Sequence, residues 1–309
     1  MHPSRALSES EPFRHMAVPY DSDEGFLGLV LPYLHRGIAE GRRVLVVSTA
    51  RNLGLLGPDV GRIDTKVATE WYLHPHRTLA AYLEYVRGRR TLIVGEPVWT
   101  GRDEREIREW IRFESVANAA FSDDDCVALC LYDLRHLPPA VLDHLGMIHP
   151  VRLTPDGERL NADYVEPHDL VLAGDLEPLP EPEGVAVTAE FTAAELSRLR
   201  RTVAEYARAA GMERSLIASL VLSMSEIAAN TVEHGAGRGT LTMWSTAGEV
   251  ICEVCDPGGG GWDDPLPGHI PPEPESPRGY GLWISRQLCD LVEMRTTRGT
   301  LRVRLHMRI

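Results

Sequence analysis

The sequence predicts two folded parts of different class: an α/β domain built on a parallel sheet, then an α+β two-layer sandwich. Three observations predict it. In the first half, continuous apolar runs ("RRVLVVST", "RTLIVGE", "CVALCLYD") alternate with helical stretches. Such unalternated strands belong in a parallel sheet covered on both faces. At the C-terminus "GTLRVRLHM" does alternate, with Leu301, Val303, Leu305 and Met307 on one face and Arg302, Arg304, His306 and Arg308 on the other. That pattern predicts an antiparallel sheet with one covered and one wet face. Between the halves, Glu177 to Gly184 holds three prolines and three glutamates, a composition that builds no core and favours an extended connector. The expected organisation is a first domain over 10–175, a Pro/Glu-rich linker over 176–186 and a second domain over 187–309.

In chain order, "EGFLGLVLPYLHRGIAEG" reads as a helix with Pro32 as a local irregularity and Gly41 as its stop. The three apolar strands follow, interleaved with the helices "DEREIREWIRFESVANAAF" and "PPAVLDHLGMI". The order predicts a doubly wound or RecA-like domain. No G-x-x-x-x-G-K-[ST] follows the strand "VLVVST", which excludes a P-loop ATPase. Glu96 and Asp133 end strands where open α/β sheets bind ligands, although either alone reads as a surface acid. His74 and His76 lack further ligands at a useful spacing and read as surface loop residues.

Beyond the linker, helices over about 192–210 and 213–234 precede the strands "GTLTMWST" and "EVICEVCD". A Pro/Gly-rich loop, the helix "YGLWISRQLCD" and the strands "LVEMRTT" and "GTLRVRLHM" complete the domain. At 100° per residue, Ile217, Leu220, Val221, Met224, Ile227 and Ala228 form one apolar face of the second helix. Ser219, Ser223, Glu226, Asn230 and His234 line an adjacent stripe. A carboxylate and an amide one turn apart can hold a hard cation and activate a hydroxyl; taken alone, a solvated polar edge explains them as well. "CDPGGGGW" sets Asp256 at a strand end before four glycines, a place to accept a hydrogen bond from an exocyclic amine such as adenine's. "SPRGYGLWISRQL" sets Arg278, Gly279 and Gly281 at a helix start, where free N–H groups suit phosphate.

Composition bounds the function. The 309 residues are 43% hydrophobic and 25% charged, with 45 acidic against 32 basic side chains and a net charge of −13. An acidic chain opposes sequence-independent nucleic-acid binding, which rests on Lys and Arg. No run approaches the roughly 18 apolar residues of a membrane span, and "MHPSRALSESEPFRH" has no signal-peptide core, so a cytoplasmic protein is expected. The five cysteines are an odd number and read as reduced thiols; Cys252 and Cys255 fall on opposite faces of a strand and read as buried hydrophobes.

The order E-x-x-x-N-x-x-x-H, D-x-G-x-G, G-x-G-L opening a helix and G-T on a terminal strand resembles the GHKL (Bergerat-fold) ATPase superfamily. Over about 190–309 it most resembles anti-sigma-factor serine kinases of the RsbW type. The resemblance implies ATP and Mg²⁺ as cofactors, with Glu226 as general base and Asn230 as the Mg²⁺ ligand. It implies Asp256 as the adenine reader assisted by Thr300, and Gly258, Gly260, Gly279, Gly281 and Leu282 lining the nucleotide. Arg278 would contact phosphate, and the 261–278 segment would be the lid. His234 is either part of this box or simply a helix cap. Implied partners are a sigma factor and an anti-anti-sigma (STAS-type) protein, in transcription regulation and stress signalling, with homodimers common in the family. Histidine kinases share the fold, but the preceding helix "TAAELSRLRRTVAEYARAAG" has no histidine to phosphorylate. A non-catalytic ATP-binding switch and a stand-alone ATPase are the alternatives.

From His15 to about Leu153, the pieces "FRHMAVPYDSDEGFL", "IAEGRRVLVVST", "LIVGEPVWT", "FESVANAAF", "LCLYD" and "MIHP" resemble the MEDS sensory domain, a KaiC/RecA-related module without a phosphate loop. This implies a regulatory input from a small molecule or partner. Its candidate pocket residues are His15, Tyr20, Glu96, Trp99, Glu114, Asn118, Tyr132, Asp133 and His149.

Overall fold

The computed structural model describes residues 13–57, 63–174, 178–182, 184–259, 266–272 and 279–309. The chain divides into two compact units, Met1–Leu170 and Val171–Ile309.

The first unit runs β1 (Phe13–Tyr20), α1 (Asp23–Ala39), β2 (Arg43–Ser48), α2 (Ala50–Leu56), β3 (Asp64–Val67), α3 (Ala68–Trp71), α4 (Pro75–Val86), β4 (Thr91–Gly95), α5 (Glu104–Ala120), β5 (Cys126–Asp133), α6 (Pro139–Ile148), β6 (Val151–Thr154) and β7 (Gly157–Leu160), with α7 (Pro167–Gly174) following. The strands form one sheet in the order β3-β2-β4-β5-β1-β6-β7. Every pairing is parallel except β6 with β7. Its helices start on ordinary caps: Ser22 Oγ accepts from Gly25 N at α1, and Asp103 with Glu106 forms a capping box at α5.

Strand alternation gives the sheet two buried faces. Met16 and Val18 of β1, Val44 and Val46 of β2, and Leu129 and Leu131 of β5 pack with Phe26, Val30 and Leu34 of α1. His15 and Ala17 with Ala128 and Cys130 therefore point to the other face. There Trp110 and Phe113 of α5 and Leu145 of α6 are buried.

One element was not foreseen and one expectation is corrected here. Strand β1 is central, yet its pattern does not announce it, because His15 and Pro19 interrupt the apolar run. Pro19 is tolerated since β6 pairs only with Met16 and Ala17, so no bond from its nitrogen is required on that side. His74 and His76 are buried, not surface loop residues. His74 caps α4, its Nδ1 accepting from Arg77 N, and Pro75 opens the helix.

The second unit contains β8 (Val187–Thr192), α8 (Leu196–Ala209), α9 (Arg214–Glu233), β9 (Arg238–Ser245), β10 (Glu249–Asp256), α10 (Tyr280–Leu288), β11 (Leu291–Thr297) and β12 (Thr300–Arg308). Its sheet is antiparallel throughout, ordered β11-β12-β10-β9-β8. The helices lie on one face and share a core in which Leu199, Val203, Leu220, Met224 and Ile227 meet Leu241, Val254, Val303 and Leu305. Among the described residues α9 alone is long and apolar enough to cross a membrane by length and composition. Its apolar face is committed to this core.

The other face of this sheet is not wet. Arg304 and His306 of β12 are buried, as are Glu253, Glu293 and Arg295. Buried charges must be paired, and these are. Glu253 Oε2 accepts from Arg304 Nη2 at 2.7 Å and Nε at 3.0 Å. His306 lies between Glu293 (3.0 Å) and Glu249 (3.3 Å). Arg304 also donates to the Pro180 carbonyl at 2.7 Å and stacks over Trp244. Ser223, expected on the polar stripe of α9, is likewise buried. All five cysteines are free thiols; Cys252 is buried and Cys255 half-buried.

Candidate functional site

Helix α9 continues to Glu233, and His234 is its C-cap, donating its backbone N–H to Asn230 O at 2.8 Å. The His234 side chain is exposed, so its visible role is capping. Glu226 and Asn230 are half-buried, one turn apart. Glu226 lies directly against Gly281 of α10: a Cβ there would come within 2.7 Å of Glu226 Oε2 and 3.2 Å of its Cβ. Only glycine lets α10 approach α9 this closely.

Asp256, at the end of β10, is 3% exposed. Its Oδ1 accepts from Ala236 N (3.1 Å) and Gly258 N (2.9 Å). Its Oδ2 rests over Gly235, where a Cβ would stand 1.7 Å away. Gly258 lies on Ala236, and Gly259 on Leu301. The register Asp256↔Leu301 brings Thr300, first residue of β12, to the same end of the sheet. Gly279 begins α10 with a left-handed φ of 96° that non-glycine residues avoid.

Glu226, Gly281, Asn230, Asp256, Gly258 and Thr300 thus come from four elements and the loop after β10. Helix α9 with the turn after it carries four of the contacts described, Glu226–Gly281, Gly235–Asp256, Ala236–Asp256 and Ala236–Gly258. Leu282 differs: its side chain is part of the hydrophobic core, so any nucleotide contact would come from its backbone. Gly260 and Arg278 lie outside the described residues, as does most of the expected lid. The described piece, 266–272, packs down: Leu266 and His269 are buried, Gly268 lies on Leu282, and Arg286 donates to Pro267 O.

Sequence reasoning missed Gly235 and Ala236. A glycine after a helix reads as a stop, but Gly237 takes the left-handed turn (φ 73°) and Gly235 does not. Its signal is close approach, which only the partner Asp256 reveals.

In the first unit the candidate pocket residues separate into groups. Tyr20, Glu96 and Asn52 form a closed network: Glu96 accepts from Tyr20 Oη (2.6 Å), Asn52 Nδ2 (3.0 Å), Thr49 N (3.2 Å) and Ser48 Oγ. Burial, then the Glu96 charge, pushes the Tyr20 hydroxyl far up, so it donates and does not ionise. Asp133, the register partner of Tyr20, is instead tied up in a two-pronged ion pair with Arg135, whose hydrogen bonds hold its carboxyl below the ordinary value. Trp99 stacks on Tyr132, which meets His149 edge-on, and neither Trp99 Nε1 nor Tyr132 Oη has a hydrogen-bond partner.

The last group is His15, Glu114, Cys130 and His149, all buried, with one ligand-capable atom from each lying within 4.8 Å of the others. Burial alone would raise the Glu114 carboxyl, yet the two imidazoles outweigh it and hold it down at about 2. Burial and the neighbouring His15 push His149 down to about 4. A cavity of about 30 Å³ adjoins the group, lined chiefly by aromatic and aliphatic side chains.

Known families match both units. Residues 189–307 match the histidine kinase-like ATPase domain. Residues 14–150 match the MEDS domain, described as the methanogen/methylotroph DcmR sensory domain. Among solved structures, one similar chain is that of the RsbU and RsbW domains of Rv1364c from Mycobacterium tuberculosis. It shares 19% identity at a TM-score of 0.30 over 40% of this chain and 31% of that one, a likeness too slight to carry an argument. No curated protein matches.

Proposed function

We propose that this chain is a cytoplasmic, ATP-dependent anti-sigma regulatory serine/threonine kinase. Its 187–309 domain would phosphorylate an anti-anti-sigma partner and bind a sigma factor, under control of a KaiC/RecA-related sensory domain over 10–175. The observation that carries the reading is Glu226 of α9 lying against Gly281, with Asp256 cradled at Gly235 in the turn after the same helix. These are cradles that a Cβ would fill, and they join the segments that the motif order assigns to one nucleotide. The match of 189–307 to an ATPase domain supports ATP as the ligand.

In this reading the second Asp256 oxygen accepts from the adenine amine, while Ala236 and Gly258 N–H groups fix the first. Thr300 stands beside it. The free backbone N–H groups at the start of α10, after Gly279, suit phosphate. Mg²⁺ suits the donors present, since the Asn230 amide oxygen is the hard ligand type it takes alongside phosphate oxygens; it would neutralise charge on the triphosphate. Glu226 accepts the proton of the serine hydroxyl as that oxygen bonds to the γ-phosphorus and the bond to ADP breaks.

The test is transfer of radiolabelled γ-phosphate from ATP to an anti-anti-sigma partner by the full chain. Glu226→Gln should lower transfer by about 10²–10⁴-fold, and Asn230→Ala should lower transfer and raise the Mg²⁺ concentration it requires. Labelling that survives both substitutions would defeat the kinase assignment, and ATP binding without any labelling by the wild-type chain would leave the non-catalytic switch.

A further inference from the structure

We propose that His15, Glu114, Cys130 and His149 form a tetrahedral site for a divalent transition metal, zinc by its donor set, inside the first unit. The four come from separate elements: β1, α5, β5 and the residue closing α6. The site is independent of the kinase reading.

The hydrogen bonds around the two imidazoles fix where their protons are. Asn118 donates its Nδ2 to the carbonyls of Ser115 (3.1 Å) and Ile148 (2.9 Å), so its Oδ1 faces His15 Nδ1 at 3.0 Å and must accept from it. The proton of His15 is thus on Nδ1, leaving the Nε2 lone pair bare. His149 Nδ1 faces the Leu145 carbonyl at 3.4 Å, which can only accept, so its Nε2 is bare as well. His149 Nε2 is buried with no hydrogen-bond partner. Both nitrogens converge on Glu114 Oε2, at 3.7 Å from His15 and 3.6 Å from His149. Three electron pairs therefore meet in a buried space, and among the described residues the donor in hydrogen-bond contact with one of them is the Cys130 thiol, 3.0 Å from His15 Nε2.

A positive centre must sit among them, and the distances choose which. A proton shared between Glu114 and an imidazole would draw the pair to about 2.7–3.2 Å. A tetrahedral ion about 2.0–2.1 Å from N and O, and about 2.3 Å from S, sets its ligands roughly 3.3–3.6 Å apart. The carboxylate–imidazole gaps fit the second, and the His15–Cys130 contact would open by about 0.5 Å. Binding replaces the thiol proton, Cys130–SH + M²⁺ giving Cys130–S–M⁺ + H⁺, with the proton released to solvent. With the Glu114 carboxylate the buried cluster then carries no net charge. Two imidazoles, one carboxylate and one thiolate are the ligand set of a tetrahedral zinc centre. Asn118 and the Leu145 carbonyl are the outer groups that aim metal-binding imidazoles.

The test uses the full chain freed of metal by a chelator and titrated with Co²⁺. One equivalent should produce the visible bands of tetrahedral cobalt with a near-ultraviolet thiolate charge-transfer band and release of one proton. Cys130→Ser should remove the charge-transfer band, Cys126→Ala should keep it, and Asn118→Ala should weaken cobalt binding about 10–100-fold. Absence of tetrahedral bands in the wild-type chain, or a charge-transfer band that survives Cys130→Ser, overturns the site. Should Cys130→Ser not fold by circular dichroism, X-ray absorption of the zinc-loaded wild type decides: one sulfur at about 2.3 Å supports it, and a first shell without sulfur sinks it.

Discussion

A single glycine shows how finely the C-terminal constellation is set. Gly235 has no Cβ because Asp256 Oδ2 occupies that position, 1.7 Å from where a Cβ would be. Gly235→Ala must therefore push the carboxylate away or bend the end of α9, and either breaks the bonds to Ala236 and Gly258. Overpacking of this kind costs about 1–3 kcal/mol, so the denaturation midpoint should fall, and calorimetric binding of ATP should be lost. Gly248→Ala, whose Cβ would meet nothing, should leave both unchanged. If Gly235→Ala binds ATP as the wild type does, Asp256 is not the adenine reader. Glu226, Asn230 and Asp256 became candidates through the order and spacing of the motifs, since alone each reads as a polar edge or a loop acid. Gly235 did not, because a helix stop explains it equally well until its spatial neighbour is known.

At the level of elements, periodicity found the strands but misassigned one environment. The alternation in β12 correctly separated Leu301, Val303, Leu305 and Met307 from the arginines, yet the polar face is covered. Sequence pattern reports polarity, whereas exposure depends on what packs against it; here carboxylates on β10 and β11 made burial affordable. The edge strand β8 and the central strand β1 escaped notice for the opposite reason, their apolar runs being broken by polar residues or proline. The polar layer has a consequence for pH. Burial alone would lower His306, but the hydrogen bonds and charges of Glu249 and Glu293 raise it above the ordinary 6.5. Its contribution is present in full below pH 6.5 and is lost as pH rises through the raised value. Burial alone would raise Glu293, but His306, Arg295 and Arg304 hold it below the ordinary 4.5. That contribution is present above pH 4.5 and is lost as pH falls through the lowered value. Stability of the second unit should therefore be highest between about pH 4.5 and 6.5 as far as this pair governs it. A series of urea melts across pH would show the alkaline decline, and His306→Gln should flatten it. An unchanged slope in that variant would mean the decline arises elsewhere.

For the whole chain, each unit has a core of its own, and the Pro/Glu-rich segment falls within the second unit, whose bounds are Val171–Ile309. Composition alone made the segment look like a bare connector, yet it is not inert. Pro180 accepts from Arg304 Nη2 at 2.7 Å, Leu179 is buried, and Glu181 lies 3.6 Å from Arg302. All of these belong to the second unit, so where a fragment begins matters. A fragment over 171–309 keeps the carbonyl that satisfies a buried guanidinium, and a fragment over 187–309 loses it while keeping Glu253. A lost hydrogen bond to a buried charged group costs about 1–3 kcal/mol. The shorter fragment should therefore unfold at lower urea with nearly the same slope. The groups assigned to the nucleotide gather around α9, α10 and the end of β10, whereas Arg304 lies on the face away from the helices. Both fragments should accordingly bind ATP with Mg²⁺ in calorimetry, at equal affinity under conditions where both are folded. Equal urea midpoints would show that 178–182 contributes nothing to the fold. No heat of ATP binding in either folded fragment would remove the nucleotide, and with it the kinase.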